Sequence, residues 1–208
     1  MIALSRAYAC GLGAPTIDRV DERIFALRYF AACMDCGFCA DQCCSYGVDI
    51  DAANINALRG LGSDFAAFVG VPPADWLTGE LVSDPEFPSG AYGRTATRNG
   101  QCVFADSSAR GCRIHAWCLR QGLDYHRFKP LVSILFPVTF EYGALVPSPE
   151  TLDRTLVCSG EGATLYEGVR NELRYYFGDA FIAELDGLAG FSTQRCSAAG
   201  PIERFLPR

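Results

Sequence analysis

An α+β fold is the prediction for this 208-residue chain, and three observations carry it. Stretches rich in β-formers are joined by tight-turn dipeptides such as Asn99-Gly100 and Tyr142-Gly143. Other stretches, above all those after residues 52 and 164, place apolar residues at helical spacing. Between them lies a cluster of five cysteines in twelve residues, Cys33-Met34-Asp35-Cys36-Gly37-Phe38-Cys39-Ala40-Asp41-Gln42-Cys43-Cys44. The expected architecture is a set of small hairpins and helices packed around a cysteine-ligated metal centre, in one domain over residues 1–208 with its core in 23–190.

Taken in order, residues 1–22 read as an irregular lead-in containing Gly11, Gly13 and Pro15. Residues 23–30 are dense in β-formers, and the alternation of Phe25, Leu27 and Tyr29 predicts a strand that delivers the chain into the cysteines. Gly37 and Gly47 bracket the cluster and permit the positive dihedrals of a wrapping loop. Helices are predicted over 52–61 and 64–69, followed by a proline-rich excursion over 71–91 with one short helix near Trp76 and Leu77, the best candidate for an insertion.

Residues 92–98 and 101–105 form a predicted hairpin across Asn99-Gly100, with Cys102 in its second strand. A helix over 111–121 carries Cys112, His115 and Cys118 at spacings of three, roughly on one side. Pro130 opens a short apolar helix over 128–135 and Pro137 ends it; a second hairpin joins 138–141 to 144–146. Cys158 precedes a glycine-rich loop, Ser159-Gly160-Glu161-Gly162, and two amphipathic helices, 164–177 and 179–188, are broken at Gly178. The tail after Gly190 reads as loose.

Composition bounds the function. With half its residues apolar, the chain can bury a proper core without metal. A net charge of -6 and the lack of any Lys/Arg run argue against a nucleic-acid groove. No stretch reaches the roughly 20 apolar residues of a membrane span, and the N-terminus has no signal-peptide run, so a cytoplasmic location is expected. Eleven cysteines in a reducing compartment favour metal over disulfides, which would need a secreted context.

The first four thiols of the cluster follow C-x2-C-x2-C-x3-C, the spacing that lets successive thiolates converge on a cubane iron-sulfur cluster. The proline that follows the fourth cysteine in ferredoxins is replaced here by Cys44. Structural zinc is the alternative, closing a tetrahedron with partners drawn from Cys102, Cys112, His115, Cys118, Cys158 and Cys196. A cubane or a zinc takes at most four protein ligands, so not every candidate binds. The candidate ligands are Cys33, Cys36, Cys39, Cys43, Cys44, Cys102, Cys112 and Cys158. Core or surface thiol is the default reading of Cys118 and Cys196. His115 could ligate or hydrogen-bond a cluster, although a lone histidine near a core is more often only satisfied there. His126 reads as exposed, and Asp35, Asp41, Asp49 and Asp51 as a solvated acidic face. The glycine patterns match neither dinucleotide-binding nor Walker motifs, and Ser159-Gly160-Glu161-Gly162 is no nucleophile elbow.

Four motifs in this order, C-x2-C-x2-C-x3-CC, Gly100 to Phe104 (GQCVF), Gly111 to His115 (GCRIH) and Lys129 to Pro137 (KPLVSILFP), resemble the YkgJ family of cysteine-cluster proteins, described as a zinc- or iron-chelating domain. The resemblance spans residues 33 to 137. It implies a metal site built from Cys36, Cys39, Cys43, Cys44, Cys102 and Cys112. In two places the chain departs from the family: more residues separate its third and fourth thiols, and Ser133 stands where many members carry a further cysteine. A related branch includes the flagellin lysine N-methylase. The readings are therefore a metal-binding protein holding zinc or iron, with a 4Fe-4S cluster favoured; a structural zinc module for protein–protein interaction; and a cluster-containing S-adenosylmethionine-dependent protein lysine methylase.

Overall fold

The computed structural model describes residues 1–30, 41–106 and 110–198, with side chains through 190. Its regular elements are β1 (Ile2–Ala9), β2 (Thr16–Val20), β3 (Arg28–Tyr29), β4 (Asp49–Asp51), α1 (Ala52–Gly60), α2 (Gly62–Val69), β5 (Leu77–Ser83), β6 (Ala91–Thr95), β7 (Thr97–Arg98), β8 (Gln101–Cys102), α3 (Arg113–Gln121), α4 (Leu131–Leu135), β9 (Val138–Glu141), β10 (Ala144–Pro147), α5 (Pro149–Leu152), β11 (Ser159–Thr164) and α6 (Leu165–Ala198). Helices and small sheets are interleaved, the α+β class that the patterning predicts.

Four sheets organise these strands among the described residues: β1-β2-β10-β9, β4-β6-β5, β11-β3 and β7-β8. The first corrects the reading of residues 1–22 as irregular. Gly11, Gly13 and Pro15 sit in the turn of a hairpin whose arms pair Ile2 with Val20 and Ala9 with Thr16. Tyr8, Ile17 and Val20 are buried against α6, which local polarity around Arg6 and Asp18 hid. The strand predicted over 23–30 is also corrected. Asp21 caps a 3-10 turn, Glu22–Phe25, by accepting from the Arg23 amide, and only Arg28–Tyr29 remain strand.

The proline-rich stretch is structured more fully than expected. Leu77–Ser83 is a strand, pairing with β6 at the edge of the second sheet. Trp76, 1% exposed, donates its indole N–H to the Val71 carbonyl at 2.8 Å and packs edge-on to Phe65 and Phe104. The predicted hairpin turn forms as expected, Asn99 and Gly100 both having positive φ. Helices α1, α2, α3 and α4 lie close to where the spacing puts them.

Gly178 breaks α6 with φ 81 and ψ 174. Arg170 nonetheless reaches Asp186 at 2.5 Å, sixteen positions on, whereas a straight helix would separate them by about 24 Å. The two arms therefore fold back on one another, with the Tyr166 hydroxyl also donating to Asp186 at 2.6 Å. The second arm runs on to Ala198, past the Gly190 where a loose tail was expected.

The Arg170 guanidinium holds the Asp186 carboxyl down at about 2 against the opposing effect of burial, with the Tyr166 hydroxyl helping. A depressed folded-state value means stability present above the unfolded value near 4 and lost as pH falls through about 2. The gap in melting temperature between wild type and Asp186→Asn is thus expected to be widest near neutrality and to close between pH 4 and 2. A gap independent of pH would refute this role for the ion pair.

Two apolar cores result. One joins the four-stranded sheet and α4 to α6 through Val20, Ile24, Leu145, Leu165, Leu173 and Phe181; the other gathers Ile50, Leu58, Phe65, Trp76, Phe104 and Ile114. Tyr125 packs against both, and its hydroxyl donates to Glu172 of α6 at 2.7 Å. The candidate site lies between these cores.

Candidate metal centre

A cavity of about 520 Å³ is walled by Tyr29, Ile134, Val138 and Val169 from one core and by Phe104 and Ile114 from the other. Cys43, Cys44, Cys102, Cys112 and Cys158 all line it. These five of the eight predicted ligands come from four separate parts of the chain, each held by identifiable bonds. Cys33, Cys36 and Cys39, with Asp35 and Gly37, lie outside the described residues. Phe30 on one side of that segment and Cys43 and Cys44 on the other line the cavity.

Cys43 and Cys44 occupy a 3-10 turn, Gln42–Cys44. Its approach is fixed by Asp41, which is 5% exposed, pairs with Arg110 at 3.1 Å and accepts from the Gly111 amide at 3.4 Å. Asp41 thus ties the end of the cysteine cluster to the residue before Cys112, and Gln42 accepts from the Val157 amide next to Cys158 at 3.4 Å. The expectation of a solvated acidic face is overturned for Asp41 and also for Asp51. Asp51, 2% exposed, caps α1 through the Ala53 amide and accepts from the Ser89 amide and hydroxyl. Asp49 pairs with Arg94 at 3.0 Å.

Gly47 lets the chain leave the cluster beneath the hairpin. It has φ 68, and a Cβ there would sit 2.5 Å from the Thr95 carbonyl oxygen, so no side chain fits. Thr95 itself, 1% exposed, accepts from the Val48 amide at 2.7 Å and from the Cys102 thiol at 3.4 Å. One hydroxyl so connects the stretch after the cysteine cluster to the hairpin thiol.

Cys102 and Cys112 are drawn together by the backbone between them. Ala105 bridges Cys112 in antiparallel fashion, and the Arg113 amide donates to the Phe104 carbonyl at 2.8 Å. Cys112 is the N-cap residue of α3. Although a helix start favours the thiolate, burial raises the Cys112 thiol and prevails over Lys129 and the amides of His115 and Ile114, which pull it down. Cys158 is 3% exposed and precedes β11 rather than a free glycine loop; its carbonyl accepts from the Phe30 amide at 3.1 Å.

His115 lines the cavity beside these thiols, and burial followed by the Lys129 charge pushes it below the ordinary histidine value. Neutral imidazole is the form that ligates metal. Cys118 on the same helix is fully buried in the second core, where burial and the neighbouring Cys112 push it up to about 11. It packs there as an apolar residue. Cys196 falls where side chains are not described.

His126 is not exposed as expected: its side chain is 13% accessible. It bonds Asp124 at 2.6 Å and Glu172 at 2.8 Å, and it is stacked on Tyr175 with ring centroids 3.6 Å apart. Asp124 is local, but Glu172 and Tyr175, which close the clamp, lie some fifty residues away on α6, so the sequence around His126 gives no sign of it. The cavity wall includes Glu172, so the clamp fixes one side of the site.

Among the described residues, no three His, Cys, Asp or Glu side chains converge as a group able to hold a metal ion. The described thiols supply soft donors of the right chemistry on one cavity, and the cluster's other three thiols belong to the segment whose two flanks reach that cavity. The fold and site together define an α+β protein with a cysteine-lined cavity between two cores. Compared with protein-family models, with curated proteins and with solved structures, the chain finds no match in any of the three. Among the described residues no helix is long and apolar enough to cross a membrane.

Proposed function

We propose that this chain is a metal-binding protein that holds zinc or iron in its cysteine cluster, with a 4Fe-4S cluster the favoured form. The observation that carries the reading is the opening of Cys43, Cys44, Cys102, Cys112 and Cys158 onto one cavity. Apolar packing alone gives five cysteines from distant positions no reason to share a wall, since a buried thiol serves equally well anywhere in a core. The ferredoxin-like spacing of Cys33, Cys36, Cys39 and Cys43 and the resemblance to the YkgJ family support the same reading. Cys36, Cys39 and Cys43 are the central ligands, completed from among Cys33, Cys44, Cys102, Cys112 and Cys158. Bound there, iron-sulfur would supply one-electron chemistry, and zinc a structural cross-link. A cytoplasmic location, in which eleven thiols stay reduced, belongs to the same proposal.

Protein purified without oxygen is expected to be brown, with visible absorption and with iron and acid-labile sulfide in equal amounts. Colourless protein carrying one zinc per chain and no sulfide would replace the cluster with the structural zinc alternative. Protein carrying neither metal would overturn the proposal.

A further inference from the structure

Away from the cysteines, another cavity of about 180 Å³ is lined by Arg28, Thr151, Arg154, Ser159 and Gly160, and no acidic side chain belongs to its wall. Two guanidinium groups converging on one small space are out of keeping with an acidic chain of net charge -6. Elsewhere, arginines such as Arg23, Arg94 and Arg170 are each held by a carboxylate. Arg28 instead gives one bond, to the Gly162 carbonyl at 2.7 Å, and the Arg154 side chain has no partner among the described residues.

The acidic groups of the surrounding elements do not neutralise this pair. Glu167, on which the Arg28 charge acts at longer range, accepts from the Thr164 amide at 2.9 Å and from its hydroxyl at 3.0 Å. Glu150 of α5 lines the cysteine cavity instead. Asp153 and Glu161, next in the chain to Arg154 and Gly160, are exposed and form no ion pair with either arginine.

The Ser159 hydroxyl is buried and has no hydrogen-bond partner among the described residues, an arrangement that native proteins avoid unless a ligand or water completes it. Arg154 follows the C-cap of α5 with φ 52, and the Thr155 amide reaches back to the Glu150 carbonyl at 3.3 Å. Glycine takes that position in a helix ending without strain, so the turn itself gives no reason for an arginine. A side chain kept in a strained backbone conformation is a sign of function at that side chain.

We propose that this cavity binds a phosphate group, either inorganic phosphate or the head of a small phosphate monoester, whether or not the cysteines carry metal. Two positive charges match a doubly charged phosphate better than a single carboxylate. Two planar guanidinium forks together with a hydroxyl also offer more donors than a carboxylate's two oxygens need, and a tetrahedral anion can use them.

The test titrates full-length protein with sodium phosphate, with glycerol 3-phosphate and with acetate, at constant ionic strength made up with chloride, and reads calorimetry and melting temperature. At least one of the two phosphates is expected to bind saturably and, at about ten times its dissociation constant, to raise the melting temperature by about 3 to 6 °C. Binding of inorganic phosphate shows that the free ion suffices, and binding of the ester alone shows that its organic part is needed. Acetate is expected to give no saturable response. Arg154→Gly and Ser159→Ala should each weaken binding at least about tenfold, the loss of one bond to a charged group. Neither should lower the melting temperature in chloride alone, because glycine accepts positive φ and alanine removes an unpaired buried hydroxyl. A merely structural role would do the reverse, lowering stability and leaving affinity intact. No saturable response to either phosphate, an equal response to acetate, or undiminished binding in both variants would overturn the proposal.

Discussion

On the proposed metal-binding reading, Cys112→Ser is expected to empty the site and to lower the melting temperature of anaerobically purified protein by about 10 °C. The magnitude follows from linkage: a ligand present at about a thousand times its dissociation constant stabilises by about 4 kcal/mol, and each kcal/mol is worth about 2–4 °C in a chain of this size. Serine keeps the volume of the side chain and removes the soft donor, so the loss reports ligation rather than packing. Cys36→Ser and Cys39→Ser are expected to behave the same way, since metal-binding energy is folding energy where no preformed site exists in the unfolded chain. Cys118 provides the contrast. It is fully buried in the second core, and Cys118→Ala should cost stability modestly while metal content stays constant. Elemental analysis paired with thermal melts checks all four variants. Full metal occupancy in both Cys36→Ser and Cys39→Ser would remove the metal assignment, and full occupancy in Cys112→Ser alone would remove that residue from the ligand set.

Trp76→Ala is expected to be the most damaging single truncation outside the cysteines, at about 4 to 8 kcal/mol. Removing a buried tryptophan costs about 3–5 kcal/mol, and a stranded carbonyl acceptor adds about 1–3. The stranded group is the Val71 carbonyl, which accepts the indole N–H. Phe65 and Phe104 would lose their edge contacts, at ring separations of 5.6 and 5.4 Å. The consequence reaches the site, because the Ala96 amide donates to the Trp76 carbonyl and Ala96 in turn accepts from Val103 beside Cys102. Against a typical total of about 5–15 kcal/mol, such a loss leaves little margin. Trp76→Phe, which retains a ring but no donor, should fall between. Urea denaturation measures both, and an alanine variant within about 1 kcal/mol of wild type would show that the second core does not depend on this ring.

Elements specified by local chemistry could be read directly. Asn99-Gly100 dictates its hairpin because positive φ at two successive positions suits few other dipeptides, and Gly178 breaks α6 where predicted. Apolar spacing placed α1, α2, α3 and α4. The misreadings share a cause. Residues 2–9, 16–20 and 77–83 become strands because neighbouring strands complete their hydrogen bonds, β10 beside β2 from far along the chain and β6 beside β5 across the connection 84–90. A short polar strand shows no clear alternation of its own, and its pairing energy comes from the neighbour.

The candidate site divides in the same way. Cysteine identity and spacing by themselves single out the candidate thiols and their soft-donor chemistry, since a C-x2-C-x2-C-x3-CC run has no packing rationale. Only the tertiary structure decides that Cys102, Cys112 and Cys158 open onto the same cavity as Cys43 and Cys44. It also decides that Asp41 is an internal tie to Arg110 and Gly111 rather than a solvated charge, and that His126 is clamped by Asp124 and Glu172. The physical reason is range. Dihedral preference and donor chemistry belong to a residue and its immediate neighbours, whereas burial, charge pairing and a thiol's proton affinity are set by whatever the fold brings within a few Å.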